Sequence, residues 1–137
     1  MHPYAEKIQN IGSKANPTFM TLGITPVSFG NGSAVLKMTV TEKLHNGAGF
    51  LQGGFYTVLG DEAIALAIIG ELDETSDATT ISETTEFLKG VKEGELFAVA
   101  KIIRKGRRIV FAEAEVHSGS VDGPLVSKTS ATYLITS

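Results

Sequence analysis

The sequence predicts an α+β fold in which an antiparallel sheet wraps one long central helix, and three observations lead there. Phe55 to Ile69 is apolar almost all round, broken only by Asp61 and Glu62, the pattern of a helix enclosed by protein. Runs with strand character flank it, two before and four after. Tight-turn sequences join several of these runs: Gly30-Asn31-Gly32, Lys105-Gly106-Arg107 and Val121-Asp122-Gly123. A single enclosed helix is most simply covered by a sheet that curls around it. The convex face and edges of such a sheet are left over for a second copy, so at least a dimer is expected.

The bulk numbers set the frame. At 137 residues, with 42% hydrophobic and 20% charged, the chain fits a single domain spanning 1–137 with a substantial core. A net charge of −3 offers no basic field for nucleic acid or an anionic membrane. Cysteine is absent, which excludes disulfides, thiolate nucleophiles and Cys-ligated metal centres. The three histidines, His2, His45 and His117, show no ligand spacing, so no metal is expected. The N-terminus has neither the basic start nor the apolar run of a signal peptide. Gly53–Gly70 is nearly long enough to span a bilayer, but Asp61 and Glu62 at its centre would cost roughly 2.5 kcal/mol or more each. A soluble, cytoplasmic protein is expected.

Along the chain, Tyr4–Ile11 has weak helical spacing, and Asn16-Pro17 resets the direction. Phe19–Leu22 is short and apolar and ends at Gly23. Ile24–Phe29 reads as a strand. Ser33–Thr41 alternates, with Ala34, Leu36, Met38 and Val40 on one face, as a half-buried strand does. Glu42–Leu51 is a Gly- and Asn-rich loop leading into the long helix. After a polar connection, Thr79–Leu88 is dense in β-branched residues and reads as a strand at the outside of the sheet. Glu95–Arg104, Arg108–Ser118 and Pro124–Thr136 form a meander. Alternating apolar residues from Ala98 to Ile103 suggest that part of this sheet is apolar on both faces.

A carboxylate in the middle of an enclosed helix costs several kcal/mol unless it is paired, solvated or neutralised. One of Asp61 and Glu62 is therefore read as chemically used. Asn46, Gly49, Gln52, Gly53 and Gly54 precede it in the spacing Asn-x-x-Gly-x-x-Gln-Gly-Gly, and Asp61 follows Gln52 by nine positions. This resembles the signature of the hotdog-fold acyl-CoA thioesterases of the PaaI-like type, within the 4-hydroxybenzoyl-CoA thioesterase superfamily. The usual pattern there is Asn-x-x-Gly-x-x-His-Gly-Gly with an acid in the helix. The resemblance runs through the preceding hairpin and the following meander, nearly the whole chain. One departure is Gln52, where the family usually has His. An amide hydrogen-bonds but does not change charge near neutral pH.

The resemblance implies hydrolysis of a small or medium acyl- or aryl-CoA to free acid and coenzyme A. No cofactor is needed beyond the coenzyme A of the substrate. Gly53 and Gly54 would offer free backbone N–H groups at the positive end of the helix, and would let a thioester carbonyl come close. Such a donor is typically worth about 3–4 kcal/mol in the transition state. Asp61 would be nucleophile or general base, and Glu62, about 100° round the helix, the structural or exposed neighbour. About 13 Å of helix separates Gln52 from Asp61; in the family, sites form between two subunits, which brings one helix start to the other's acid. Asn46 would position water or the thioester. A Ser or Thr often stands near the acid in family members; Thr80 matches, with Thr79 as the alternative. Phe55, Leu59 and Phe87 are candidate walls of the acyl pocket. Lys89, Arg104 and Arg107 are candidate contacts for the coenzyme A phosphates. A homodimer or dimer of dimers is implied. The alternative function is a non-catalytic acyl-CoA or lipid-binding protein of the same fold.

Overall fold

The computed structural model describes residues 1–137. Two short helices, α1 (Pro3–Ile11) and α2 (Pro17–Leu22), lead into a β1–β2 hairpin (Ile24–Gly30, Ser33–Val40). The long helix α3 (Gly53–Ile69) follows, and then β3 (Asp77–Phe87), β4 (Gly94–Lys105), β5 (Ile109–Ser118) and β6 (Leu125–Thr136). All six strands make one antiparallel sheet in the order β1-β2-β4-β5-β6-β3. The sheet curls around α3, the hotdog arrangement.

The short N-terminal helices are set by their caps. His2 Nδ1 accepts from the Tyr4 amide ahead of α1, and Asn16 Oδ1 accepts from the Thr18 amide ahead of α2. Each has proline in its first turn, where the missing N–H costs nothing. Phe19–Leu22 is thus helical, and Phe19 is a fully buried core residue.

α3 is covered by the inner faces of the strands. Leu36 and Met38 of β2, Leu96, Ala98 and Ala100 of β4, Val110, Ala112, Ala114 and Val116 of β5, and Val126 and Ala131 of β6 bury against it. The small side chains among them let helix and sheet approach closely. Gly60 sits at the tightest point: a Cβ there would lie 2.8 Å from Thr129 Oγ1. β4 carries apolar residues on both faces, with the half-buried Phe97 and Val99 opposite the enclosed Leu96, Ala98 and Ala100. Ile103 is 55% exposed, at a bulge between Ile102 and Arg104.

β3 is an edge strand bonded only to β6, and nearly all of its residues are exposed. A bulge between Thr80 and Ser82 switches which residues face inward. Thr80 points toward α3 before it, and Thr85 after it, since their hydroxyls meet Asp61 and Thr57 of the helix. No helix is long and apolar enough to cross a membrane.

Candidate active site

The features expected to carry chemistry are distributed along α3 in two groups. At its start, the loop from His45 to Leu51 is closed by a β-bridge between those two residues. Asn46 folds it: Oδ1 accepts from the amides of Ala48 at 2.9 Å and Phe50 at 3.1 Å. Gly49 turns with φ 87°, a conformation costly for other residues. Gln52 is the residue before the first helical turn; it is exposed, and its side chain caps nothing. The amides of Gly53 and Gly54 donate to no protein acceptor, as expected for the first turn of a helix.

A groove opens beside these amides. Asn46, Phe50, Gly53, Tyr56, Phe87 and Lys89 line it. The Tyr56 and Phe87 rings meet edge to face at 5.8 Å, and the Tyr56 hydroxyl donates to the Lys89 carbonyl at 3.0 Å. Phe87 is 57% exposed, a large apolar surface left open beside the helix start.

The second group begins about one turn further along. Thr57 donates to Thr85 at 2.8 Å, and Thr85 is bonded to Thr129 at 2.9 Å, which ties α3 to β3 and β6. One turn on, Asp61 is half-buried. Its Oδ1 accepts a short hydrogen bond from Tyr133 Oη and a longer one, 3.4 Å, from Thr80 Oγ1. Tyr133 Oη also lies 3.2 Å from the Asp61 backbone carbonyl, fixing helix to strand. Burial, and then the adjacent Asp61 carboxylate, push the Tyr133 hydroxyl upward. It therefore stays a proton donor throughout the neutral range. Oδ2 of Asp61 accepts from no hydroxyl or N–H of the protein, and it is the oxygen left to meet water or substrate.

Two other carboxyls stand near. Glu62 points the other way round the helix, where Asn16 Nδ2 donates to its Oε2 at 3.1 Å and to Tyr4 Oη at 2.9 Å. Burial and then the Asp61 charge raise its pKa, while Asn16 opposes them. It ties the N-terminal segment to α3, the structural role expected. Glu83 of β3 follows the bulge on the helix-facing side. Burial first, then hydrogen bonding to Asp61 and repulsion from it, push its carboxyl up to about 7.

Several expected positions fall differently. Leu59 is fully enclosed in the core, so it is no pocket wall; its side chain faces the sheet rather than the groove. Phe55 packs against the core and is not part of the groove lining. Arg104 and Arg107 lie at the β4–β5 turn. Strand register puts that turn at the Asp77 end of the sheet, opposite the Phe87 end where Lys89 lies. One chain therefore does not assemble the three basic residues into one phosphate site. Of the two threonines considered, Thr80 is the one bonded to Asp61. Tyr133 and Glu83 were not legible as site residues. The only signal was parity: Tyr133 continues the inward series Thr129–Ala131, where a polar ring needs a partner.

Along α3, Gly53 and Asp61 are eight residues apart, roughly 12 Å. The free amides and the carboxylate therefore do not converge within one chain. A sequence model of the thioesterase superfamily matches residues 48–124, from the loop before α3 to the β5–β6 turn. The chain belongs to the thioesterase superfamily. As a member it is a thioester hydrolase, and α3 with its glycine-rich lead-in lies inside the matched region. The 1,4-dihydroxy-2-naphthoyl-CoA hydrolase of Listeria monocytogenes is 30% identical over 87 residues, 64% of this chain and 71% of that one. A conserved protein of Pseudomonas aeruginosa has a solved structure that superposes with a TM-score of 0.82. It is 29% identical and covers 88% of this thioesterase and 94% of its own chain. A thioesterase of Haemophilus influenzae superposes with a TM-score of 0.86 over 94% and 90% of the two chains, at 22% identity; that likeness concerns the fold.

Proposed function

We propose that the protein hydrolyses a small or medium acyl- or aryl-CoA thioester to free acid and coenzyme A, in sites shared by two copies of the chain. The observation that carries this reading is Asp61. It is a carboxylate on the central helix with one oxygen held by the Tyr133 and Thr80 hydroxyls and the other free of hydroxyl and N–H donors. Its part is nucleophile or general base. As base, Oδ2 takes a proton from water, the hydroxyl oxygen adds to the thioester carbon, and negative charge gathers on the carbonyl oxygen. The Gly53 and Gly54 amides stabilise that charge. The C–S bond then breaks, and the thiolate sulfur takes up the proton.

Edge-to-edge pairing of β3, whose outer edge is unpaired, with a second β3 would build the shared site. Thr80, beside Asp61, and Phe87, beside Gly53, mark opposite ends of this strand. Antiparallel pairing about a two-fold axis near its middle would bring the Asp61 of one copy to the Gly53 of the other. It would also cover a long open edge, which proteins seldom leave bare. The aromatic groove and Lys89 would then receive the substrate beside the amides, while Asn46 shapes the loop that presents them. The Gln52 side chain, which caps nothing, is available to hydrogen-bond substrate in place of the usual His. Coenzyme A belongs to the substrate, and no separate cofactor takes part.

The test is release of free thiol from a panel of short-chain, medium-chain and aryl-CoAs by wild type and Asp61→Asn. Turnover by wild type, reduced at least a hundredfold in the variant with the fold intact, is the expected result. Tight binding of the panel without turnover in wild type would favour the non-catalytic acyl-CoA carrier instead.

A further inference from the structure

The helix-facing side of β3 contains a carboxyl that the reading above does not use. Two bonded pairs bracket it. Thr80 meets Asp61 on one side, and Thr85 meets Thr57, one helical turn earlier, on the other. Glu83 lies between them, after the bulge, with the same inward parity as Thr85 and opposite Ala131 of β6, whose side chain is buried. Ala131 leaves room where a larger side chain would fill the gap between β6 and α3. From α3 the ionisable groups on this side are Asp61 and, turned away toward Asn16, Glu62; from β6 there is only Tyr133. No lysine or arginine is paired with Glu83.

We propose that Glu83 is a positioning residue that acts through Asp61, donating a hydrogen bond to it when protonated and repelling it when ionised. The proposal rests on Asp61 being the base or nucleophile. Tyr133 and Thr80 hold Oδ1, and Glu83 completes the set of donors that keeps Asp61 ionised and aimed. Two carboxyls that interact in this way titrate as a pair. Burial and Asp61 together place the second loss near pH 7. Above that pH the donor is replaced by a second negative charge, and activity falls. The chain would then have a built-in alkaline limit in the physiological range, set by a residue that does not touch the substrate.

The first measurement needs no turnover. Wild-type protein carrying ¹³C-carboxyl glutamate is titrated by NMR, with Glu83→Gln identifying the resonance. The expected Glu83 midpoint is near 7, and it moves down in Asp61→Asn. A midpoint in the ordinary range for glutamate, or one indifferent to Asp61→Asn, overturns the proposal. The second is kcat against pH on whichever acyl-CoA wild type turns over. Wild type should lose most of its kcat between pH 6.5 and about 8.5, the interval spanning a group that titrates near 7. Glu83→Gln, a permanent donor, should stay level across that interval. Glu83→Leu, with no donor, should already be at least tenfold slower at pH 6. Identical profiles for wild type and Glu83→Gln would refute the inference and leave the thioesterase reading standing. Absence of turnover on every substrate would remove that reading, while the NMR result still decides whether the two carboxyls are linked.

Discussion

Gly60 is the point at which packing and chemistry meet, and Gly60→Ala tests the connection. A methyl group there would sit 2.8 Å from Thr129 Oγ1 and 3.1 Å from Thr129 Cβ. Thr129 is fully buried and bonded to Thr85, so its side chain does not rotate away without losing that partner. Overpacking of this kind costs about 1–3 kcal/mol. Alanine returns up to about 1 kcal/mol through its better helix propensity. The net expectation is a loss of about 1–2 kcal/mol, or roughly 3–8 °C in melting temperature for a domain of this size. Urea unfolding at fixed protein concentration should show a lower midpoint with the slope unchanged. Adding Thr129→Ser, which shortens the obstructing side chain, should make the double variant less destabilised than the sum of the single ones. Thiol-release activity should fall with Gly60→Ala as well, because any lift of α3 carries Asp61 away from Tyr133. A Gly60→Ala protein as stable as wild type would refute the close approach of helix and sheet described above.

Tyr133→Phe keeps the ring and removes the donor to Asp61. A hydrogen bond to a charged group is worth about 1.5–3 kcal/mol, so kcat should drop roughly 10- to 100-fold with KM little changed; steady-state kinetics checks this. Glu62 gives a pH prediction. Its folded pKa is raised above 4.5, chiefly by burial, so the folded state holds that proton more tightly than the unfolded chain does. The associated stability is present in full at low pH and is lost as pH rises through the folded value. Glu62→Gln cannot lose a proton, so its stability relative to wild type should climb above pH 4.5 and then level off, measured by urea midpoints across a pH series.

The central helix and the strand count were readable because their signals are local: an apolar run too long for a strand, and alternation broken by Gly-rich turns. Asp61 was readable because a charge in that run violates the pattern around it. Tyr133 was not, because its contact with Asp61 joins residues 72 positions apart, and no local period reports it. Glu83 was hidden by the bulge after Thr80, which shifts the parity that alternation would assign. Phe19–Leu22 looked like a bare apolar stub, since its helix depends on the Asn16 cap and Pro17 rather than on periodicity. Leu59 and the arginine turn were misplaced for one reason. The facing direction of a helical residue, and the end of a sheet at which a turn emerges, are decided by tertiary packing.

The separation of roughly 12 Å between Gly53 and Asp61 on one straight helix makes a prediction that depends on neither residue alone. Asp61→Asn lacks the base. Gly53→Ala puts a methyl group where the carbonyl must approach, and that methyl meets only the Phe87 ring, at 3.4 Å, so the fold should tolerate it. Each variant alone should be nearly inactive, since both sites of its dimer carry the same defect. Unfolded together and refolded, two such chains reassort, and about half of the dimers are mixed. In a mixed dimer one site has both defects and the other has neither. About a quarter of wild-type activity should therefore return, growing with the fraction of mixed dimers seen by native mass spectrometry. If base and amides acted within a single chain, every site in the mixture would keep one defect and no activity would reappear. Recovery near a quarter would establish that the two ends of this helix serve different active sites.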